Sequence, residues 1–322
     1  MARSRLGRRT EATEATEATE ATGTVETNGT NGTNGTNGEG QRSDPQDSTG
    51  PREGDVQLAL RDVSYVYRTG TEALRSLDLT VNVGRTIAVA GPSGCGKSTL
   101  LAILAGLMQP TSGRVARQLD PRGSRHEVAM VFQKDTLLPW LTVEAQVGFH
   151  AKLHRRSRSA ETKEWVASLL ELGGLTEFAG AFPYELSGGM RRRLAFLVAV
   201  APLPRVLLLD EPFSSLDEPT RLAIHQDVFD ITRRYGITTV LVTHDLAEAA
   251  SLSDEVVILT RRPATVASHH EVPFGDRRDL LALRQQRDFL DLYATLWREL
   301  SVQLEVRPRA ATPERGADDA AI

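Results

Sequence analysis

The run GPSGCGKST, from Gly91 to Thr99, restricts the possible folds more than any other part of the sequence. It follows the apolar segment TIAVAG and precedes the helical pattern STLLAILAGLM. A strand, a glycine-rich turn and a helix in this order form a phosphate-binding loop, because backbone N–H groups and the helix N-terminus face one anion. Lys97 is one of only four lysines in 322 residues, so the match to G-x-x-x-x-G-K-[ST] is not expected by chance. The predicted phosphate-contacting residues are Gly91, Pro92, Ser93, Gly94, Cys95, Gly96, Lys97, Ser98 and Thr99.

Three other apolar runs end in polar residues that can carry chemistry. EVAMVF stops before Gln133, RVLLLD leads into Asp210 and Glu211, and TTVLVTH ends at His244. Helical patterns separate several of the runs, which predicts right-handed crossovers and a parallel sheet. Because ligands bind beyond the carboxyl ends of such strands, we expect these side chains beside the phosphate loop.

The residue types at this edge favour phosphate chemistry. Asp210 can hold Mg²⁺ through water, and the hydroxyl of Ser98 can be a direct ligand. Glu211 is placed to polarise an attacking water, Gln133 to ligate the metal or orient that water, and His244 to contact a γ-phosphate. The phosphate loop alone leaves kinase, GTPase and ATPase activities open.

The remaining pattern predicts three additions to the parallel core. Residues 56–67 and 74–82 are rich in β-branched and aromatic residues and predict strands of an antiparallel sheet. Residues 135–195 interrupt the strand–helix alternation and predict a helical insertion. Residues 279–303 predict one C-terminal amphipathic helix.

The predicted globular domain spans residues 55–305. Residues 1–54 carry EAT and TNG triplets with almost no apolar side chains, so we expect a disordered low-complexity tail. Residues 306–322 are charged and contain two prolines, which indicates a second flexible tail.

Composition excludes several classes of function. The net charge of −4 argues against a nucleic-acid binder, which usually carries a basic excess. A single cysteine, Cys95, rules out an intramolecular disulfide and nearly excludes a cysteine-based zinc site. No run approaches the ~18 apolar residues of a membrane span, so a role at a membrane would require a partner.

The segment LSGGM at residues 186–190 precedes another helical run and completes a recognisable set. Together with the phosphate loop and the polar strand ends, it resembles the ATP-binding-cassette (ABC) ATPases over residues 55–305. The resemblance implies an α/β fold with a RecA-like P-loop NTPase core, an antiparallel β subdomain and an inserted helical subdomain at 135–195. It also implies ATP and Mg²⁺ as cofactors.

The resemblance assigns roles residue by residue. Tyr67 matches the aromatic residue that stacks on adenine, with Tyr65 as the second choice, and Asp217 matches the D-loop aspartate. Ser187, Gly188 and Gly189 match the signature that binds the γ-phosphate of ATP held by the opposite subunit. This implies a homodimer or heterodimer that encloses two ATP molecules. The implied metal ligands are Ser98, Gln133 and Asp210, and the implied catalytic residues are Glu211, His244 and Gln133.

One position departs from the family pattern, because Arg192 stands where a glutamine usually follows the signature. This should leave the phosphate contacts intact and alter local packing. All the catalytic positions are present, so we expect a competent ATPase.

The segment after Gln133 indicates which group of ABC ATPases the chain resembles. The sequence LLPW, ending in Pro139 and Trp140, is similar to the nitrate, sulfonate, taurine and bicarbonate importers. This implies permease subunits, an indirect substrate-binding protein and a place on the cytoplasmic face of the membrane. Trp140 is expected either to receive a permease helix or to pack within the helical subdomain. The alternatives are a two-component exporter, a soluble non-transport ABC ATPase and a metabolic P-loop kinase.

Overall fold

The computed structural model describes residues 56–118, 127–134, 136–153, 160–214 and 216–304. The tails predicted at 1–54 and 306–322 lie outside the described residues. None of the described helices is long and apolar enough to cross a lipid bilayer.

Two sheets form the framework. The smaller has the order β2-β1-β4, and both of its pairings are antiparallel. Its strands are β1 (Val56–Val66), β2 (Glu72–Asn82) and β4 (Ser112–Arg117). The antiparallel sheet predicted from residues 56–82 is therefore confirmed, and β4 is an added edge strand.

The larger sheet has the order β5-β6-β7-β3-β8-β9. Its strands are β3 (Thr86–Ala90), β5 (Val128–Val131), β6 (Val206–Asp210), β7 (Thr238–Val242), β8 (Glu255–Leu259) and β9 (Val266–Glu271). Every pairing is parallel except β8 with β9. The predicted parallel core is thus confirmed, with one antiparallel edge strand that the sequence pattern did not predict.

Nine α-helices lie in the described part of the chain. They are α1 (Lys97–Leu104), α2 (Val143–Val147), α3 (Phe149–Leu153), α4 (Ala160–Leu172), α5 (Gly188–Val200), α6 (Glu218–Arg234), α7 (Leu246–Leu252), α8 (Leu280–Leu283) and α9 (Arg287–Leu304). Short 3₁₀ turns span Thr176–Phe178 and Pro183–Glu185. Helices α2 to α5 lie between β5 and β6 along the chain, where the helical insertion was expected.

The single C-terminal helix predicted over 279–303 is wrong, because the chain forms two helices there. Asp279 caps α8 by accepting hydrogen bonds from the N–H groups of Leu281 and Ala282, each at 3.0 Å. Helix α8 ends at Leu283 with Arg284 as its C-cap, and α9 starts at Arg287. No proline or glycine marks this break, so the amphipathic pattern runs through it.

The parallel sheet separates two apolar clusters. Leu207 and Leu209 of β6 belong to one cluster, and Val206 and Leu208 belong to the other. Alternate side chains of a strand point to opposite faces, so both faces of the sheet are buried. The first cluster includes side chains of α4 to α9, and the second includes α1 and the antiparallel sheet.

A buried polar cluster supports the chain beside the end of β7. Thr243 Oγ1 donates to Glu248 Oε2 at 2.7 Å, and His225 Nε2 lies 3.9 Å from Glu248 Oε1. Burial raises the pKa of Glu248 to about 8 and lowers the pKa of His225 to about 3. Both shifts favour a neutral pair at pH 7, which avoids the cost of two buried charges. The cluster fixes Thr243, the residue before His244.

We expect Glu248→Gln to reduce the loss of stability that occurs as the pH rises from about 4.5 to about 8. The folded-state pKa of Glu248 lies above its ordinary value of 4.5, so its contribution is complete below about pH 4.5 and is lost as the pH rises through 8. Glutamine stays neutral, and the variant should exceed the parent at pH 9 by on the order of 1–3 kcal/mol of unfolding free energy. The difference should be smaller at pH 6. Urea titrations at both pH values measure it.

The matched control for this test is Glu171→Gln, which removes an exposed carboxylate from α4. The unfolding free energy of this control should change with pH in the same way as that of the parent. If that of Glu248→Gln also changes in the same way, the buried carboxyl group does not titrate as described.

Candidate functional site

The phosphate loop joins the end of β3 to the start of α1 and is folded tightly. Lys97 Nζ donates to the carbonyl oxygens of Gly91 and Pro92 at 2.9 and 3.1 Å. Gly96 has a φ of +133°, and a Cβ there would lie 2.9 Å from the carbonyl oxygen of Ala73. Only glycine fits this position, because both the backbone angle and the space exclude a side chain. The loop thus presents its backbone and a lysine ammonium.

Cys95 contributes its backbone to the loop and keeps its thiol inside. The residue is 1% exposed and belongs to the apolar cluster on the α1 side of the sheet. Burial raises the pKa of the thiol, and the positive charge of Lys97 opposes that effect. The thiol therefore stays protonated at neutral pH and does not line the open side of the loop.

A hydroxyl and a carboxylate meet beside the loop. Ser98 Oγ, at the start of α1, donates to Asp210 Oδ1 at 3.2 Å. Burial raises the pKa of Asp210 and the charge of Glu211 adds to this, whereas the Ser98 hydrogen bond and Lys97 lower it. Two hard oxygen donors beside a phosphate-binding loop suit Mg²⁺.

Glu211 is held in an unusual backbone conformation just after β6. Its N–H donates to the carbonyl oxygen of Val242 at 2.9 Å, and its φ is +44°. A non-glycine residue in this left-handed region is uncommon and is found most often at functional sites. The bend carries the carboxylate away from the sheet toward the ends of neighbouring strands.

The carboxylate of Glu211 contacts side chains from both neighbouring strand ends. Its Oε2 lies 3.2 Å from His244 Nδ1 and 3.5 Å from Gln133 Nε2. These residues follow β7 and β5, which flank β6 in the sheet. The structure therefore brings together Gln133, Asp210, Glu211 and His244 at the edge that carries the phosphate loop.

Tyr67 lies on the same side of the molecule, after β1. Its OH is 2.7 Å from Thr99 Oγ1, and its ring packs edge-on against Tyr65. Arg262 lines the same open pocket as Tyr67, Lys97, Ser98 and Glu211. Sequence reasoning missed Arg262 as a site residue, because it follows β8 without any motif that points to the loop.

The LSGGM segment forms the start of α5. Ser187 caps the helix, and its Oγ accepts from the N–H of Met190 at 3.3 Å. A Cβ on Gly188 would meet nothing within 4 Å, whereas a Cβ on Gly189 would lie 2.5 Å from Thr220 Cγ2. Within the described residues, no hydrogen bond joins this segment to the phosphate loop of the same chain.

Asp217 caps the helix that Gly189 approaches. Its Oδ2 accepts from the Thr220 N–H at 3.3 Å and from Thr220 Oγ1 at 3.0 Å. These hydrogen bonds lower the pKa of Asp217. The start of α5 and the start of α6 are thus in direct contact through Gly189 and Thr220.

Arg192 links α5 to the backbone of Phe132 and Gln133, the two residues that follow β5. Its Nη1 donates to the carbonyl oxygen of Phe132 at 3.2 Å, and its Nη2 donates to the carbonyl oxygen of Gln133. Arg192 itself is largely buried, at 8% exposed. The departure from the family pattern therefore places a charged donor directly on the backbone of Gln133.

The chain is similar to known proteins over most of the described residues. The family model described as ABC transporter matches residues 74–214. Aliphatic sulfonates import ATP-binding protein SsuB 2 of Pseudomonas syringae pv. tomato is 42% identical over 226 residues, which is 69% of this chain and 91% of that protein. Nitrate import ATP-binding protein NrtD of Synechocystis is 38% identical, covering 66% of this chain and 80% of that protein.

A solved structure supports the same relation. The chain superposes on one chain of the dimeric structure of a post-hydrolysis state of the ATP-binding cassette MJ0796 bound to ADP and Pi. The TM-score is 0.57 and the sequence identity is 29%. The match covers 68% of this chain and all of that one.

We expect Gly189→Ala to destabilise the fold by about 1–3 kcal/mol, because the added Cβ overpacks against Thr220 Cγ2. Gly188→Ala is the matched control and should have a small effect, since its Cβ points into open space. Thr220→Ser removes Cγ2, keeps the hydroxyl, and should rescue Gly189→Ala. Thermal unfolding measures the stability of the parent, of the two glycine variants and of the double variant Gly189→Ala/Thr220→Ser. If the double variant is no more stable than Gly189→Ala, the proposed contact is contradicted.

Arg192→Gln should lower kcat for ATP hydrolysis roughly three- to tenfold and leave KM nearly unchanged, because the backbone of Gln133 loses its donors. The control is Arg114→Gln, on the exposed strand β4. Steady-state kinetics measure both variants. An unchanged kcat would show that Gln133 does not depend on this anchor.

Proposed function

The chain belongs to the ABC transporter family of ATPases, and from that membership we propose that it hydrolyses ATP to drive the import of small anionic solutes. Relatives at 42% and 38% identity are named as import proteins for aliphatic sulfonates and nitrate. The observation that carries the proposal is the convergence of Gln133 and His244 on Glu211, beside the Ser98–Asp210 pair.

The residues present fit ATP with Mg²⁺. The loop offers a lysine ammonium and backbone N–H groups to the phosphates, and Tyr67 offers an aromatic face to adenine. Ser98, Asp210 and the amide oxygen of Gln133 supply the hard oxygen ligands that Mg²⁺ prefers. Mg²⁺, when bound, would neutralise charge on the phosphate oxygens.

Glu211 acts on the attacking water in this proposal. Its carboxylate accepts the proton of the water, and the contacts with His244 and Gln133 fix its direction. The left-handed backbone at Glu211 makes that direction depend on the end of β6 and not on side-chain rotation alone. Asp210 stays at the metal side, so the two adjacent carboxylates have different roles.

The signature segment completes the site of a second copy. Ser187, Gly188 and Gly189 leave open N–H groups at the start of α5, where the helix dipole favours an anion. Because this segment makes no hydrogen bond to the phosphate loop of its own chain in the described residues, we assign it to the ATP of a partner subunit. ATP would then hold two subunits together, and hydrolysis would release them.

Membrane permeases are the proposed partners of the helical insertion. Trp140 is 69% exposed, so it does not pack into the helical core and is available to a permease. An exposed tryptophan suits an interface of this kind. Gln133 lies seven positions before Trp140 and would pass the state of the nucleotide to that surface.

We expect Glu211→Gln to form a stable dimer with Mg-ATP, because the site closes and cannot hydrolyse. The parent should remain monomeric or mixed, and neither protein should dimerise without nucleotide. Size exclusion with light scattering measures the mass. The control Glu171→Gln removes an exposed carboxylate from α4, outside both the phosphate loop and the LSGGM segment.

Hydrolysis by Glu211→Gln at the parent rate would contradict the role of Glu211 as the base. Hydrolysis by the parent with no dimer in any variant would remove the support for a shared site. Reconstitution with candidate permeases in vesicles then tests direction, since an importer moves solute toward the side that holds this chain. Movement away from that side would favour the exporter alternative.

A further inference from the structure

A pocket rich in arginine lies at the edge of the parallel sheet opposite the phosphate loop. Arg85 precedes β3, Arg233 and Arg234 end α6, and Arg277 follows the last strand. These four arginines and Asp276 line a surface cavity of about 660 Å³. Cavities of roughly 300–1,000 Å³ are typical of small-molecule sites. Because β3 runs from this edge to the phosphate loop, the two sites are roughly 15 Å apart.

The positive charge of the pocket exceeds what its own carboxylates neutralise. Asp254 pairs with Arg85 at 3.5 Å, with Arg278 at 3.6 Å and with Arg233, and Arg233 also pairs with Asp276 at 3.4 Å. One buried carboxylate thus serves three guanidinium groups, although a single one would be enough to compensate it. The carboxyl end of α6 adds only about half a negative charge.

Several donors in the cluster are not used within the chain. Arg234 and Arg277 are exposed and have no carboxylate partner among the described residues. Arg233 Nε is buried and makes no hydrogen bond in that part of the chain, and Arg278 Nη2 has only the 3.6 Å ion pair with Asp254. Arg278 is 7% exposed, and mutual repulsion with Arg233 and Arg85 adds to the burial that lowers its pKa to about 10. Arg233 lines the pocket, and a buried donor without an acceptor is costly, so an added acceptor would be favourable there.

We propose that this pocket binds an oxyanion of the sulfate, phosphate or sulfonate class. The planar guanidinium group pairs with two oxygens of such an anion at once, which a compact ammonium group cannot do. The inference does not rest on the proposed transport function, since it uses none of the residues of the nucleotide site.

Isothermal titration of the full chain with sodium sulfate, phosphate and ethanesulfonate tests the proposal. A non-hydrolysable ATP analogue is present throughout to occupy the phosphate loop, and sodium chloride keeps the ionic strength constant. We expect one saturable site per chain for at least one of these oxyanions. The order of the three affinities identifies the preferred anion.

Arg234→Gln/Arg277→Gln should weaken that binding at least about tenfold, because two charge-assisted contacts are lost. Both residues are exposed, so the fold should be retained, and circular dichroism checks this. The control Arg114→Gln/Arg287→Gln removes the same charge elsewhere and should bind like the parent. No saturable binding, equal binding by the pocket variant, or equal weakening in the control would overturn the proposal.

Discussion

The parallel pairing of β6 with β7, and of β7 with β3, determines where chemistry can occur in this chain. The phosphate loop, Asp210 and His244 each come from the end of one of these strands. The hydrogen bond from the Glu211 N–H to Val242 extends the pairing one residue beyond β6. That bond is compatible with a left-handed backbone at Glu211, a conformation that costs about 1–3 kcal/mol and that the buried ladder can sustain. The sheet therefore determines the position of the Glu211 carboxylate, which we propose as the base.

Much of this edge could be predicted from sequence, because buried parallel strands are short apolar runs with clear ends. Gln133, Asp210, Glu211 and His244 stand where such runs stop, and their meeting follows from strand direction alone. Strands β4 and β9 could not be predicted in this way. Their side chains are mostly exposed, and SGRVAR and VASHHE lack a continuous apolar face. They form because β1 and β8 have edges available for pairing, and this depends on the tertiary structure.

The contacts that tune the site were also beyond sequence reasoning. Arg192 and Gln133 are 59 positions apart, and Arg262 reaches the pocket beside the phosphate loop from the loop after β8. Gly189 is readable as part of a motif, but its close approach to Thr220 is visible only in the packed structure. That approach joins the starts of α5 and α6, so the signature segment and Asp217 are expected to move as one unit. A one-dimensional pattern records such residues without recording which of them touch.

The guanidinium group of Arg192 has a mechanical consequence. It is a rigid planar strut between a helix that we assign to one nucleotide and the backbone of the glutamine that we assign to the other. Because the group is rigid and contacts two carbonyl oxygens, a displacement of α5 in either direction would displace Gln133. A shorter amide side chain would couple the two movements less tightly. In a pair of subunits, occupancy of one site would therefore be felt at the second as a shift of Gln133, with no need for a separate signalling element. The states of the two nucleotide sites would then be coupled through the side chain of Arg192.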